Sequence, residues 1–441
     1  MSKKTSNPIT ICWLRRDLRL DDNAALYHAL RDNTDVLPLF IFDTNILDQL
    51  QDKTDRRVQF IYDEISGMQK KLHELGSDII VKVGKPSDVW KELLGEYTIK
   101  AVYANHDFEP YAIDRDEKVS TLLAGDDVAF HTYKDHVIFE KNEVVKDDGL
   151  PYTVFTPYSR KWKSLLTPFH YKEYPTAKYF EDFHKVKTQQ TMPSLESIGF
   201  ERIDFVFPPK VVKAKLVEKY GQQRDFPAIE GTSHLGMHLR FGTLSIRKLL
   251  AYSLEKNMTF VSELIWRDFY QQILWHFPYV AKEAFRKDYN SIEWINDEEQ
   301  FKLWCEGRTG YPLVDAGMRE LNETGFMHNR VRMVTASFLA KHLLIDWRWG
   351  EAYFAEKLLD FDLGANNGGW QWSAGCGTDA APYFRIFNPI SQQEKFDPDL
   401  AYVKKWVPEY DTSDYPDPIV DHSFARKRCI EVYKKAVKKE E

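Results

Sequence analysis

The chain reads as α/β: a parallel-sheet N-terminal domain followed by a mainly helical second domain. Two observations predict this. Short apolar runs alternate with a helical stripe over about residues 1–133, and beyond about residue 206 the extended runs give way to long segments of helical periodicity. Length allows it, because 441 residues can form two domains whose cores need no covalent staples.

The extended runs are "ITICWL", "VLPLFIF", "DIIVKVG", "IKAVYANH" and "VAFHTY", each short and rich in β-branched or aromatic residues. Between the second and third, Ile61, Ile65, Met68, Leu72 and Leu75 form a helical stripe that stops near Gly76. Such alternation predicts a parallel sheet covered by helices. No GxGxxG or GxxxxGK[ST] follows a strand, so these elements do not by themselves establish a nucleotide site. Residues 134–205 are richer in polar residues, turns and prolines and read as a connector with "TVFTPYSRKWKSLL" as a docked segment. The domain over 206–441 contains helical segments in "PKVVKAKLVEKYG", "TLSIRKLLAYSLE", "TFVSELIWRDFYQQILWHF", "YPLVDAGMRELNETG" and "NRVRMVTASFLAKHLLIDW". The closing "ARKRCIEVYKKAVKKEE" reads as a surface helix whose charges need no partner beyond water.

A net charge of -7 is unlike a basic nucleic-acid coat, yet a local arginine face keeps DNA binding open. Cys12, Cys305, Cys376 and Cys429 are too widely separated for a zinc knuckle or a redox pair, so no metal site is expected and reduced thiols in the cytoplasm are the plain reading. The N-terminus turns charged before a long apolar run develops, which argues against a secretory signal or a membrane partner. With 12 Trp, 23 Tyr and 28 Phe, most aromatic rings are expected to be core.

Three stretches carry chemistry-bearing residues. In "SELIWRDFY", helical spacing puts Glu263, Trp266, Arg267 and Tyr270 on neighbouring faces: a carboxyl, two rings and a guanidinium that can bind phosphate. The plainer alternative is an aromatic stripe flanked by surface ions. "HNRVRMVTASFL" adds Asn329, Arg330, Arg332 and Met333 as a candidate cleft wall. In "DFDLGANNGGWQWSAGCGT", Asp362, Asn366 and Trp370 lie one turn apart if the piece is helical and then offer a ring pocket. A packed aromatic turn capped by Asp and Asn is the plainer alternative there too.

Taken in order, "WLRRDLRLDDNAAL", "GTSHLGMHLRFGTLSIR", "ELIWRDFY", "GYPLVDAGMREL", "HNRVRMVTASFL" and "DFDLGANNGGWQWSAGCGTDAAPYFRIFNP" resemble the DNA photolyase and cryptochrome family over nearly the whole chain. More narrowly the set is similar to bacterial-type cyclobutane pyrimidine dimer photolyases. The resemblance implies noncovalent FAD in the helical domain. It places Tyr220, Thr232, Ser233, His234, Leu235 and Gly236 around the phosphate and ribose side, with Arg267 assisting the phosphates. His234 stands where a more strongly basic residue is common in the family, and Ser233 has a core or capping role as its alternative. Asn329, Arg332, Asp360, Asp362 and Asn366 carry over to the flavin ring, with Asn366 near N5; an Arg332–Asp360 ion pair that only holds two helices in register is the alternative.

On the substrate side the resemblance implies Glu263, Trp266, Asn329, Met333 and Trp372 around a flipped dimer, with Arg330 and Arg385 on the DNA backbone. Met333 separates the chain from relatives acting on (6-4) photoproducts, which usually place a histidine in this region. The implied reaction is light-driven electron transfer from FADH⁻ to the dimer, splitting of the cyclobutane ring and return of the electron, with no net redox change. Trp294, Trp347 and Trp370 match the family's tryptophan chain for light-driven reduction of FAD. An antenna chromophore is implied between the two domains, with a folate, a deazaflavin, another flavin or no tightly retained antenna as the alternatives. Asn105, His106, Asp107 and Glu109 are placed for antenna contacts or for capping their loop. The implied partner is DNA carrying a cyclobutane pyrimidine dimer, bound by a monomer in the cytoplasm. A blue-light receptor of the cryptochrome kind is the competing function.

Overall fold

A computed structural model describes residues 7–437, so the last four residues of the expected terminal surface helix lie outside the described residues. The chain divides into two compact units. One holds the described residues up to Glu140, Leu166–Val211 and Leu235–Tyr252; the other holds Lys141–Leu165, Val212–His234 and the described residues from Ser253 onward. The expected connector therefore splits between them.

In the first unit five parallel strands, β1 (Ile9–Leu14), β2 (Val36–Asp43), β3 (Ile80–Gly84), β4 (Ile99–Asn105) and β5 (Ala129–Tyr133), lie in the order β3-β2-β1-β4-β5. Every expected strand is present. β1 and β2 are buried along their whole length, because helices such as Ala24–Asp32 and Pro86–Glu96 pack on the sheet. The Arg56–Glu74 helix opens on the Asp55 side chain, which accepts from Arg57 N, and it gives way to Gly76 at φ +72°, a left-handed conformation that glycine adopts without strain. Strand order reverses between β1 and β4, the place where such sheets open a crevice at their carboxyl ends. Ion pairs fill that end: Arg16 to Asp107 at 3.1 Å and to Glu109 at 3.2 Å. Deeper, Arg247 binds Asp22 at 2.9 Å and Asp135 at 2.8 Å, and Arg19 binds the other Asp135 oxygen at 2.6 Å. All four residues are buried, and each charge has an opposite partner, which burial demands.

The second unit is helical. The docked segment is the Phe155–Leu165 helix, and the indole of its buried Trp162 donates to Asp268 Oδ2 at 3.0 Å. Burying one such ring withdraws roughly 150–250 Å² from water, worth about 4–6 kcal/mol before entropy. The helices Met258–His276, Pro312–Thr324, Asn329–Ser337, Trp347–Lys357 and Leu363–Ala374 follow, around a core that includes Trp304, Met318, Phe338, Trp347, Phe354 and Trp370.

The segment 329–347, which reads as one helix from its pattern, is broken. The α-helix ends at Ser337, a π-helical turn runs over Phe338–His342, Leu344 takes φ +53°, and Asp346 caps a new helix by accepting from Arg348 N. The π turn adds a residue per turn, so the apolar residues after it face the core in a new register. Conversely, Leu363–Ala374 is a helix despite Gly364, Gly368 and Gly369, with Asp362 as its N-cap. A methyl on Gly368 would land on the Tyr270 ring, so the close approach of that ring requires glycine.

Candidate active site

The Met258–His276 helix starts at Asn257, whose side chain accepts from Thr259 N at 2.8 Å, and it presents Glu263, Trp266, Arg267 and Tyr270 over two turns. Trp266 is held by rings. Phe155 lies parallel to it with centroids 3.6 Å apart, and Tyr270 stacks 5.4 Å away at 29°. The Phe155 backbone N–H donates in turn to the Asp379 carboxylate. Glu263 Oε1 accepts from Arg224 Nη1. Burial raises the Glu263 carboxyl above its ordinary value, and Arg224 opposes the rise. Tyr220 packs edge-on against Phe260 with the Arg224 guanidinium 6.0 Å from its ring.

His328 caps the Asn329–Ser337 helix: its Nδ1 accepts from Arg330 N at 3.1 Å. Burial pushes the imidazole down to about 4, so the acceptor is neutral near pH 7. Arg330 Nη2 donates to Asp225 at 2.7 Å while its guanidinium lies 4.3 Å over Phe396. Met333 Sδ sits 4.0 Å from Asn329 Nδ2 and 3.9 Å from Arg330 Nη1. One helical turn thus gathers the exposed Asn329 with Arg330 and Met333. Arg332 donates to the Met327 carbonyl at 2.7 Å and to Asp360 Oδ2 at 3.0 Å. The other oxygen, Asp360 Oδ1, is buried without a hydrogen-bond partner among the described residues. Beside the pair, Phe326 takes Arg332 5.7 Å from its ring on the one hand and the His234 ring at 4.0 Å on the other.

Asp362 accepts from Ala365 N and from Gln271 Nε2 at 2.6 Å, which makes it a cap. Asn366 Nδ2 donates to Glu351 Oε1 at 2.8 Å and to the Glu351 carbonyl at 3.2 Å. Both partners are acceptors. The amide is therefore fixed with its oxygen turned away from them. Glu351 is raised by burial, against the pull of Asn366. Gly369 shares a helix face with Asn366, and a methyl there would meet nothing within 4 Å. Open space thus adjoins Asn366.

Trp370 is buried, 4.9 Å from Phe354 and 6.0 Å from Trp304, with its indole nitrogen unpartnered among the described residues. Trp347 is buried under Arg348 at 4.9 Å, and the half-buried Trp294 meets Tyr433 edge-on at 6.0 Å. Among the described residues no ring contact joins Trp294, Trp347 and Trp370 to one another; Trp304 is the indole in contact with Trp370. Trp372 is half-buried, 6.3 Å from Phe387, and Arg385 is exposed. Thr232 and Ser233 lie half-buried in a loop of the helical unit, while Leu235 and Gly236 belong to the first unit.

The loop candidates of the first unit are absorbed into local bonding. Asn105 is buried and donates to Asp17 at 2.6 Å and Asn23 at 2.8 Å, and His106 bonds Glu140 at 2.8 Å. Sequence reasoning missed Phe155, Arg224, Asp225 and Glu351. Arg224 carried a signal, since it follows Tyr220 by one helical turn. Phe155 carried none, because its partner lies 111 positions away.

Residues 10–178 match the DNA photolyase family model, and residues 260–413 match the FAD binding domain of DNA photolyase. The deoxyribodipyrimidine photo-lyase of Halobacterium salinarum is 35% identical over 96% of this chain and 98% of its own. A bacterial class III photolyase from Agrobacterium tumefaciens superposes with TM-score 0.85 at 30% identity, covering 99% of both chains. An archaeal photolyase from Sulfolobus tokodaii, solved with two FAD molecules, gives TM-score 0.83 at 33% identity over 97% of this chain and 99% of its own. With a helical FAD-domain match, an α/β domain and relatives aligned over almost their full length, this chain belongs to the DNA photolyase and cryptochrome family.

Proposed function

We propose that this chain is a light-driven deoxyribodipyrimidine photo-lyase that reverses cyclobutane pyrimidine dimers in DNA, with FAD held by its helical unit. The observation that carries the reading is an acceptor in need of a donor, the buried Asp360 Oδ1, together with the Asn366 amide whose nitrogen Glu351 holds. A reduced flavin ring, which carries N–H groups along its edge, fits that donor requirement. FAD held there would supply the light-driven one-electron chemistry of the reaction.

The chain's own residues orient and tune. Arg332 fixes Asp360 through one oxygen and leaves the other for a flavin N–H, and Glu351 keeps the Asn366 amide from turning so that its oxygen would accept from a bound flavin. Tyr220, Thr232, Ser233, His234 and Arg267 take the phosphate side, and Asp362 supports the ring site as the helix cap. Trp266 and Trp372 offer apolar faces to the flipped dimer, with Asn329 and Met333 along its edge. Glu263, whose carboxyl burial raises against the pull of Arg224, turns Oε2, the oxygen that Arg224 leaves open, toward the dimer carbonyls. Arg330 and Arg385 contact the DNA backbone. Trp294, Trp347 and Trp370 serve light-driven FAD reduction. An antenna, whether folate, deazaflavin or a second flavin, is a separate expectation read from the absorption of the purified protein.

FAD-loaded, reduced protein restores dimer-containing oligonucleotides under blue light and not in the dark. Full FAD loading with lesion binding and no restored product would refute repair and favour the blue-light receptor.

A further inference from the structure

Lys341 is 1% exposed, inside the core that surrounds Phe338, Leu339 and Leu343. Its Nζ makes one hydrogen bond among the described residues, to the Arg385 carbonyl at 3.1 Å. An ammonium buried with a single neutral acceptor is an expensive choice where methionine would fill the same space, since several kcal/mol of desolvation are only partly offset. Burial pushes this amine down to about 8, with the Cys429 and Cys376 thiols and the Arg385 guanidinium as its other charged or titratable neighbours. The residue also sits in the π-helical turn Phe338–His342, an irregularity that changes which side chains point inward.

What the amine reaches is a stretch with little support of its own. Between Ala374 and Pro389 there is neither helix nor strand. Among the described residues, the backbone N–H bonds within 381–388 reduce to Arg385 N on the Pro382 carbonyl at 2.8 Å. Phe384 is 58% exposed. Tyr383 leans on Tyr433 with ring centroids 6.1 Å apart, so one side of the turn has a ring anchor and the other has Lys341.

We infer that Lys341 is a positioning residue: through the Arg385 carbonyl it fixes the 381–388 turn so that the Arg385 side chain and Phe387, beside Trp372, are presented to lesion-bearing DNA. This rests on the reading of the chain as a dimer photo-lyase, with Arg385 on the DNA backbone. The bond is to a main-chain oxygen, so it sets where the turn lies whatever side chain residue 385 carries. The cost of burying the amine is then the cost of a preorganised contact, which lowers the ordering entropy of binding.

The test uses FAD-loaded Lys341→Met, which keeps an unbranched side chain one atom shorter and removes the donor. FAD content and Tm are expected to equal or exceed those of the parent protein. Tryptic cleavage after Arg385 should accelerate several-fold, and Kd for dimer-containing duplex should rise about tenfold, about 1.4 kcal/mol, with the repair rate at saturating DNA retained. In an Arg385→Ala background, which keeps the carbonyl but loses the guanidinium, Lys341→Met should weaken binding by clearly less than tenfold. A fall in Tm with loss of FAD, unchanged cleavage after Arg385, or full additivity with Arg385→Ala would each overturn the proposal. The cleavage arm needs no repair activity. Parent protein that fails to repair under light would instead overturn the photo-lyase reading and leave that arm standing.

Discussion

Acidification should unfasten the Asn329–Ser337 helix through its cap. His328 is 3% exposed and accepts from Arg330 N as a neutral ring, and burial lowers it from an ordinary 6.5 to about 4. A histidine lowered by folding contributes stability that is fully present above 6.5 and lost as pH falls toward 4, because the unfolded chain takes up a proton that the folded one refuses. The gap of about 2.5 pH units, at roughly 1.36 kcal/mol per unit, gives about 3 kcal/mol lost across that window. His342, driven down to about 3 by burial, pulls in the same direction. The difference between parent and His328→Asn therefore isolates the site: asparagine is a good N-cap that does not titrate. Urea unfolding of FAD-loaded protein at pH 7.5, 6.0 and 5.0 should show the parent losing about 1 kcal/mol more per pH unit than the variant below pH 6.5. Lesion affinity should fall with it, since the capped turn carries Asn329, Arg330 and Met333. Equal pH slopes for the two proteins would refute the assignment.

Gly350→Ala would set a methyl against the Trp370 and Leu339 side chains, and overpacking of this kind costs about 1–3 kcal/mol, read as a lower urea midpoint. Gly67→Ala is its control: the site lies inside the Arg56–Glu74 helix with nothing within 4 Å, and a gain of about 0.5–1 kcal/mol is expected. Phe155→Ala removes the ring stacked on Trp266, a contact worth about 0.5–1.5 kcal/mol; dimer affinity measured by mobility shift should drop up to about tenfold with FAD content unchanged. Trp370→Phe should slow light-driven reduction of oxidised FAD while chemically reduced variant still repairs. Glu263→Ala should do the reverse, and an unchanged repair yield per absorbed photon would remove Glu263 from the lesion side.

Local patterns made much of this molecule legible. The five strands announced themselves as short apolar runs between turns, and the Met258–His276 helix as a periodic segment ended by proline, because each pattern depends on neighbours within a few residues. The Asp362 cap was legible for the same reason, although a capped aromatic turn was as open a reading as a helix. Tertiary packing had to decide between the two, and the Tyr270 ring over Gly368 makes that glycine part of a close helix contact.

The sequence by itself determined the order of strands and helices and, through its resemblance, which side chains to watch. Only the tertiary structure decided what those side chains do to one another. Asn366 is oriented by Glu351 fifteen positions earlier, Trp266 is stacked by Phe155, Trp370 meets Trp304, and the 329–347 pattern breaks at a π turn that frees Lys341 to reach Arg385. Periodicity specifies which face of a helix is buried. It does not specify the partner across that face, because long-range pairing follows from how several helices pack together at once.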